Sequence, residues 1–232
     1  GIIGCASSSL VAPSSAPSSA QSSAILREPS PVVFAQQVRI QLVNGLFFAV
    51  AIALAFSPVA NLLRWVMPIA ALAVAAVLLL RLRRADHYVS FCLWLFLMTP
   101  LVRRIVDYHT AWDPIATILL SPYLALALSA VTLPRVFNRK RRMDAPAVGF
   151  LLIFLATGVG LLVALASGRY LTGGFDYIRW VLPPVFGIFL WTHRRSLPAI
   201  QQTLVTTLMV TLPIMGVYGF LQYVDIQPWD SR

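Results

Sequence analysis

Seven apolar runs between residues 42 and 224 constrain this chain more than anything else in it. They fall at about 42–60, 65–80, 88–102, 114–133, 147–166, 177–192 and 202–224. Lipid offers backbone N–H and C=O groups no partner, so only helices or closed barrels cross it. These runs are continuous rather than alternating in hydropathy, which is the helical pattern. A span needs about 20 residues, with some latitude, and the second, third and sixth runs are short. The expected fold is all-α: a polytopic membrane helix bundle of about seven transmembrane helices over 39–232. Composition agrees, because 59% of the residues are hydrophobic and only 11% charged, against roughly 25% charged in a soluble domain. Proline occurs in or at the edge of six runs, at Pro58, Pro68, Pro100, Pro122, Pro183–Pro184 and Pro213. An interior proline removes a helix hydrogen bond, so several helices are expected to kink.

Residues 1–38 read differently. "ASSSLVAPSSAPSSAQSSA" (6–24) is rich in Ser, Ala and Pro, with no periodicity and little to bury, and is expected to be disordered. "IIGC" (2–5) resembles the end of a lipoprotein signal with Cys5 as the acylated residue, but no basic or apolar stretch precedes it. It reads better as a chance match in a flexible tail.

The net charge of +10 would point a soluble protein toward nucleic acid. Here the basic residues sit in short clusters between apolar runs, and membrane topology explains them instead; no nucleic-acid partner is expected. "RLRR" (81–84), "RVFNRKRR" (135–142) and "HRR" (193–195) occupy alternate loops. Cytoplasmic loops concentrate Lys and Arg. Placing those loops and the N-terminus inside puts twelve basic residues in and six out. The expected topology is therefore N-terminus cytoplasmic and C-terminus on the opposite side. The run 139–142 would fix that topology and attract anionic membrane lipid.

Chemistry-bearing residues gather on the outer side. In "TPLVRRIVDYHTAWDP" (99–114), Arg103 and Arg104 stand where positive charge is depleted. On a helix, Asp107 is i+4 from Arg103 and i+3 from Arg104, so the three share a face. They either neutralise one another at the interface or leave a guanidinium to hold an anion, for which arginine's planar fork suits phosphate and pyrophosphate. His109 beside them is a candidate proton carrier. "SGRYLTGGFDYIRW" (167–180) adds Arg169, Asp176 and Arg179, with Asp176 and Arg179 spaced i,i+3. Arg179 lies a turn inside the sixth run, where a charge faces a cavity or a partner. Asp225, Trp229 and Asp230 form a third outer group, in which the aromatic reads as an interfacial anchor. The three histidines are scattered, and no CxxC, HExxH, Walker A or dinucleotide fingerprint occurs, so no metal or cofactor is expected. Cys92 lies within an apolar run, which argues against a disulfide framework.

"LWLFLMTPLVRRIVDYHTAWDPIATILLSPYL" (93–124) and "YGFLQYVDIQPWDSR" (218–232) resemble stretches of the bacterial O-antigen ligase and exopolysaccharide polymerase-type membrane proteins. The likeness spans about 40–232. It implies an inner-membrane protein of polysaccharide biosynthesis. Such a protein is a glycosyltransferase moving glycan from undecaprenyl pyrophosphate at the periplasmic face, without a metal or nucleotide sugar. Under that resemblance Arg103, Arg104, Arg169 and Arg179 would contact the lipid pyrophosphate, supported by Asp107, His109 and Asp176, and no residue is assigned as a catalyst. Partners would be membrane lipid, the undecaprenyl-pyrophosphate-linked glycan and other polysaccharide-assembly proteins. Family members run to ten or more spans with a large periplasmic loop bearing arginine and histidine. This chain is accordingly expected to be the N-terminal portion of a longer protein, inactive alone. A transporter or flippase for a lipid-linked or anionic substrate is the alternative, since proline-interrupted helices with a few cavity charges suit it equally. A scaffold subunit packing on another membrane protein is a third.

Overall fold

The computed structural model describes residues 31–110, 117–134 and 145–224. The tail sequence 6–24, Cys5, Asp113, the basic run 139–142 and the "PWD" group lie outside them. The helix packing described below lies within the unit that begins at Gln37. The described residues form an all-α helix bundle of seven helices. These are α1 (Pro31–Ala55), α2 (Ala60–Ala76), α3 (Ala85–His109), α4 (Leu120–Ala127), α5 (Ala145–Ala166), α6 (Tyr170–Thr192) and α7 (Leu197–Val224).

Each apolar run falls on a helix, but not every helix is span-like. Five are long and apolar enough to cross a membrane: Phe34–Ala55, Ala60–Arg81, Ala85–His109, Val148–Ala166 and Arg194–Val224. The chain is a membrane protein on that basis, and the all-α bundle of seven helices is as expected, five of the described helices being span-like by length and apolarity. The fourth run makes only a short apolar helix, Thr117–Thr132. Its α-helical centre, α4, is flanked by 3-10 turns at Thr117–Leu119 and Leu128–Thr132. Ser121, Ser129 and Thr132 each donate to the carbonyl three residues back, at 2.7 Å. Side chains that compete for backbone acceptors in this way favour the tighter turn. The sixth run lies within α6, which is 23 residues long but carries Asp176 and Arg179 in its first half. Those charges remove it from the span-like set. Pro68, Pro100, Pro183–Pro184 and Pro213 all lie inside helices.

α3 is the hub. It packs against α2, α4 and α7, while α6 packs on α4 and α5 on α6. Tyr88, Val89, Phe91, Leu95, Val102 and Val106 along it are almost fully buried. Tyr88 ties three helices together: its hydroxyl donates to the Ala125 carbonyl of α4 at 2.8 Å, and its ring meets Phe189 of α6 edge-on at 5.2 Å. α2 widens into a π-helical turn at Val77–Arg81 before the chain reverses into α3. Arg83 takes a left-handed φ of 52° in that reversal. The α5–α6 reversal is a Schellman cap. Gly168 sits at φ 72°, its N–H donates to the Leu165 carbonyl, and the Arg169 N–H donates to the Ala164 carbonyl. Just beyond, Gly173 lets α6 approach α5 so closely that a Cβ there would lie 2.5 Å from the Ala164 Cβ.

Candidate functional site

α2 and α3 are joined by the short reversal at 82–84 and run antiparallel, so the start of α2 and the end of α3 lie at the same end of the pair. That geometry brings Arg64 to Asp107. The Arg64 Nη2 donates to Asp107 Oδ1 at 3.1 Å and to Thr110 Oγ1 at 2.8 Å. Thr110 in turn donates to the Val106 carbonyl at 2.7 Å, which fixes the acceptor. From α3 itself, Arg103 Nε approaches Asp107 Oδ2 to 3.3 Å, within ion-pair distance but not aligned as a hydrogen bond. The three side chains are largely buried, at 16% exposed for Arg64, 19% for Arg103 and 9% for Asp107. Burial matters because charges interact more strongly there than in water, and each guanidinium needs the carboxylate to remain in place. Two guanidiniums thus share one carboxylate, and these three residues carry a net single positive charge.

The i,i+4 pairing of Arg103 with Asp107 is as the spacing predicts, while Arg104, one residue on, is exposed. His109 is exposed at the end of α3, its ring 5.3 Å from Phe56 and 5.0 Å from Tyr108. Arg64 was not singled out from the sequence. The available signal was an outer-side arginine at the edge of the second run, in the helix expected to pack antiparallel to the third.

The second expected group does not join this one. Asp176 and Arg179 pair along α6 at 3.9 Å, with both side chains more than half exposed. Arg169 is exposed at the start of α6. Among the described residues neither arginine contacts the α2–α3 cluster. An exposed pair at that distance contributes a few tenths of a kcal/mol. Among the described residues no three His, Cys, Asp or Glu side chains come together as metal ligands would.

A larger polar feature runs through the core, and the sequence reading passed over it. α1 presents Gln37, Gln41 and Asn44 on one face; α3 presents Ser90 and Trp94; α7 presents Thr203, Thr207 and Thr211. Gln41 is the node. Its Nε2 donates to Thr207 Oγ1 at 2.9 Å, and its Oε1 accepts from Trp94 Nε1 at 2.8 Å. Asn44 donates to Ser90 Oγ at 3.0 Å, Ser90 and Thr207 hydroxyls pair at 2.8 Å, and Gln37 donates to Thr203 Oγ1 at 2.8 Å. The two α1–α7 bonds advance four residues on both helices, as parallel neighbours require. Each threonine also donates to the carbonyl four residues back on α7. A periodic stripe of Gln, Asn, Ser and Thr inside otherwise apolar helices was the signal. Its groups are neutral and, apart from the buried Gln37 Oε1, hydrogen-bonded, so it is an interhelical fastening rather than a reaction site.

Comparison of the chain with family models, with curated proteins and with solved structures finds no match in any of the three, so the geometry and the sequence carry the functional reading between them.

Proposed function

We propose that this protein belongs to the polysaccharide-assembly machinery of a bacterial inner membrane and handles glycan carried on undecaprenyl pyrophosphate at the periplasmic face. The observation that carries this reading is the convergence of Arg64 and Arg103 on Asp107 beside Arg104, all at one end of the α2–α3 pair. In that arrangement Asp107 holds two guanidiniums in place and Arg104 adds a third close by. Counting Asp113 from the sequence, three arginines still outnumber two aspartates. Guanidinium forks match phosphate oxygens bidentately.

In glycosyl transfer the acceptor hydroxyl attacks the anomeric carbon and the bond to the pyrophosphate oxygen breaks. Negative charge then grows on the departing lipid pyrophosphate. Fixed positive charge aimed at that position stabilises the transition state more than the ground state. The proposed role of the cluster is to hold and stabilise the leaving group. The acceptor and its activating base are not assigned to this chain. The proposed topology, N-terminus cytoplasmic, rests on the alternation of basic loops and puts the cluster on the periplasmic side.

The test is binding of undecaprenyl pyrophosphate to the protein in phosphatidylcholine nanodiscs. Hydrogen bonds to charged groups contribute about 1.5–3 kcal/mol each, so Arg103→Ala or Arg104→Ala should weaken binding roughly tenfold or more. Arg169→Ala and Arg179→Ala should change it less. Unchanged affinity in Arg103→Ala and Arg104→Ala would remove the site. Movement of the intact lipid between leaflets, with no bond cleavage when the protein is assayed with its assembly partners, would favour the transporter reading instead.

A further inference from the structure

α5 and α6 run antiparallel and in step. A Cβ on Gly173 would meet Ala164, and one on Gly187 would lie 3.0 Å from the ring of Phe150; the two contacts are fourteen positions apart on each helix. On that register Asp176 is level with Leu161, and Arg179 with Gly158. Gly158 lies eight residues from the Ala166 end of the span-like segment Val148–Ala166. Arg179 therefore leaves the backbone about 12 Å inside that span, at 1.5 Å per residue. Charged side chains at such depth face the bundle interior, a water-filled cavity or one another. This pair faces outward. The Arg179 side chain is 54% exposed and that of Asp176 56%. Thr172 and Pro183 are exposed as well. The order 172, 176, 179, 183 is i, i+4, i+7, i+11, so the four residues form one stripe along the outer side of α6. Phe175 and Trp180 flank it, 41% and 71% exposed.

We propose that this stripe is the contact between two copies of the chain, with Asp176 of each pairing with Arg179 of the other. The argument for this occupant is charge complementarity. A stripe bearing one acid and one base is its own complement, whereas a stripe of like charge requires a different partner. In a two-fold pair residue i meets j, and j meets i. Two copies inserted the same way round are related by an axis along the bilayer normal, so equivalent residues lie at equal depth. Asp176 and Arg179 differ in depth by about 4.5 Å. A long arginine side chain bridges that offset, as the flanking charge pairs of parallel coiled coils do. Four charges of alternating sign then close into a ring, and the flanking aromatics of each copy cover it from lipid. The proposal does not depend on the anion reading. It gives Arg179, which stands apart from the α2–α3 cluster, a role of its own.

The experiment measures energy transfer between donor-labelled and acceptor-labelled copies of the full chain in phosphatidylcholine vesicles. Transfer should rise to a plateau with the protein-to-lipid ratio, and excess unlabelled chain should compete it away. Asp176→Arg and Arg179→Asp, each tested alone, should lower association at least fivefold, because like charges then meet across the axis. Mixing the two variants should restore it, since one stripe is then wholly basic and the other wholly acidic. A pair that acts only within its own helix gives no recovery, because each variant keeps its own helix mismatched. No recovery on mixing, with both variants inserted as the unmodified chain is, would overturn the proposal. A second measurement leaves the charges untouched. In a Cys5→Ser background, Thr172→Cys should form a disulfide-linked dimer on oxidation, and Met209→Cys, 70% exposed on α7, should not. A chain that stays monomeric in vesicles overturns the proposal. So does one that crosslinks through α7 as readily as through α6, or one that associates only with a different membrane protein.

Discussion

α3 and α5 are both long enough to span a bilayer, yet they sit at opposite extremes of the bundle. In α3 the most apolar window averages a hydropathy of 1.6 and is 61% buried; in α5 it averages 2.6 and none of it is buried. The greasier helix is on the outside. A soluble protein would reverse that order, because water drives its apolar surface inward. Lipid tails are as apolar as leucine, so no such drive sorts helices within a membrane. Packing shape and hydrogen bonds do the sorting instead. α3 carries Ser90, Trp94, Thr99, Arg103 and Asp107; Ser90, Trp94 and Asp107 are partnered by α1, α2 and α7, and Arg103 pairs with Asp107 along α3 itself. α5 offers Gly, Ala and branched aliphatics, and it touches α6 alone among the principal helix pairs.

If polar fastening rather than hydropathy holds the interior, substitutions should rank by the partners they strand. Asp107→Leu removes the carboxylate that two largely buried guanidiniums share. Removing one partner of a buried ion pair costs about 3–5 kcal/mol, and this variant should show the largest loss of stability, read as the unfolding midpoint in nanodiscs. Asp107→Asn should recover part of it by keeping the acceptor for Arg64. Gly173→Val comes next, since any Cβ there collides with Ala164. Overpacking of this kind costs about 1–3 kcal/mol, and a cysteine crosslink between α5 and α6 should form more slowly in that variant. Gln41→Leu removes the node of the polar seam. Interhelical hydrogen bonds in membranes average about 0.6 kcal/mol, so losing the bonds to Trp94 and Thr207 should cost about 1–2 kcal/mol, and the Trp94 emission should shift as its indole N–H loses its acceptor. Leu155→Ala on the exposed face of α5 should change stability by less than about 0.5 kcal/mol. A Leu155→Ala loss equal to that of Gln41→Leu would erase the contrast between the two helices.

How much of this was legible in the sequence follows from the range of the interactions involved. The helices were legible because continuous apolar runs leave backbone groups one way to be satisfied. The Arg103–Asp107 pair was legible because i,i+4 spacing is local. The Asp176–Arg179 pair was legible from its i,i+3 spacing, whereas Gly173 and Gly174, which read as a turn between spans, lie inside α6. The shortness of α4 was not legible, because serine and threonine bonds back to the helix carbonyls do not register in a hydropathy sum. Arg64 was counted among the outer charges but not placed, since its partner lies 43 positions away on another helix. The Gln37–Thr203 and Gln41–Thr207 bonds span 166 positions each.

Sequence alone determined that the chain is helical, that it is built for lipid, and where along it the charges fall, because backbone satisfaction and helix periodicity act over a few residues. Tertiary structure decided which of those charges meet, which helix becomes the hub and where the polar seam between α1, α3 and α7 runs. Those outcomes depend on how helices pair, and in a medium as apolar as the helices themselves, pairing is set by a few side-chain contacts between distant parts of the chain.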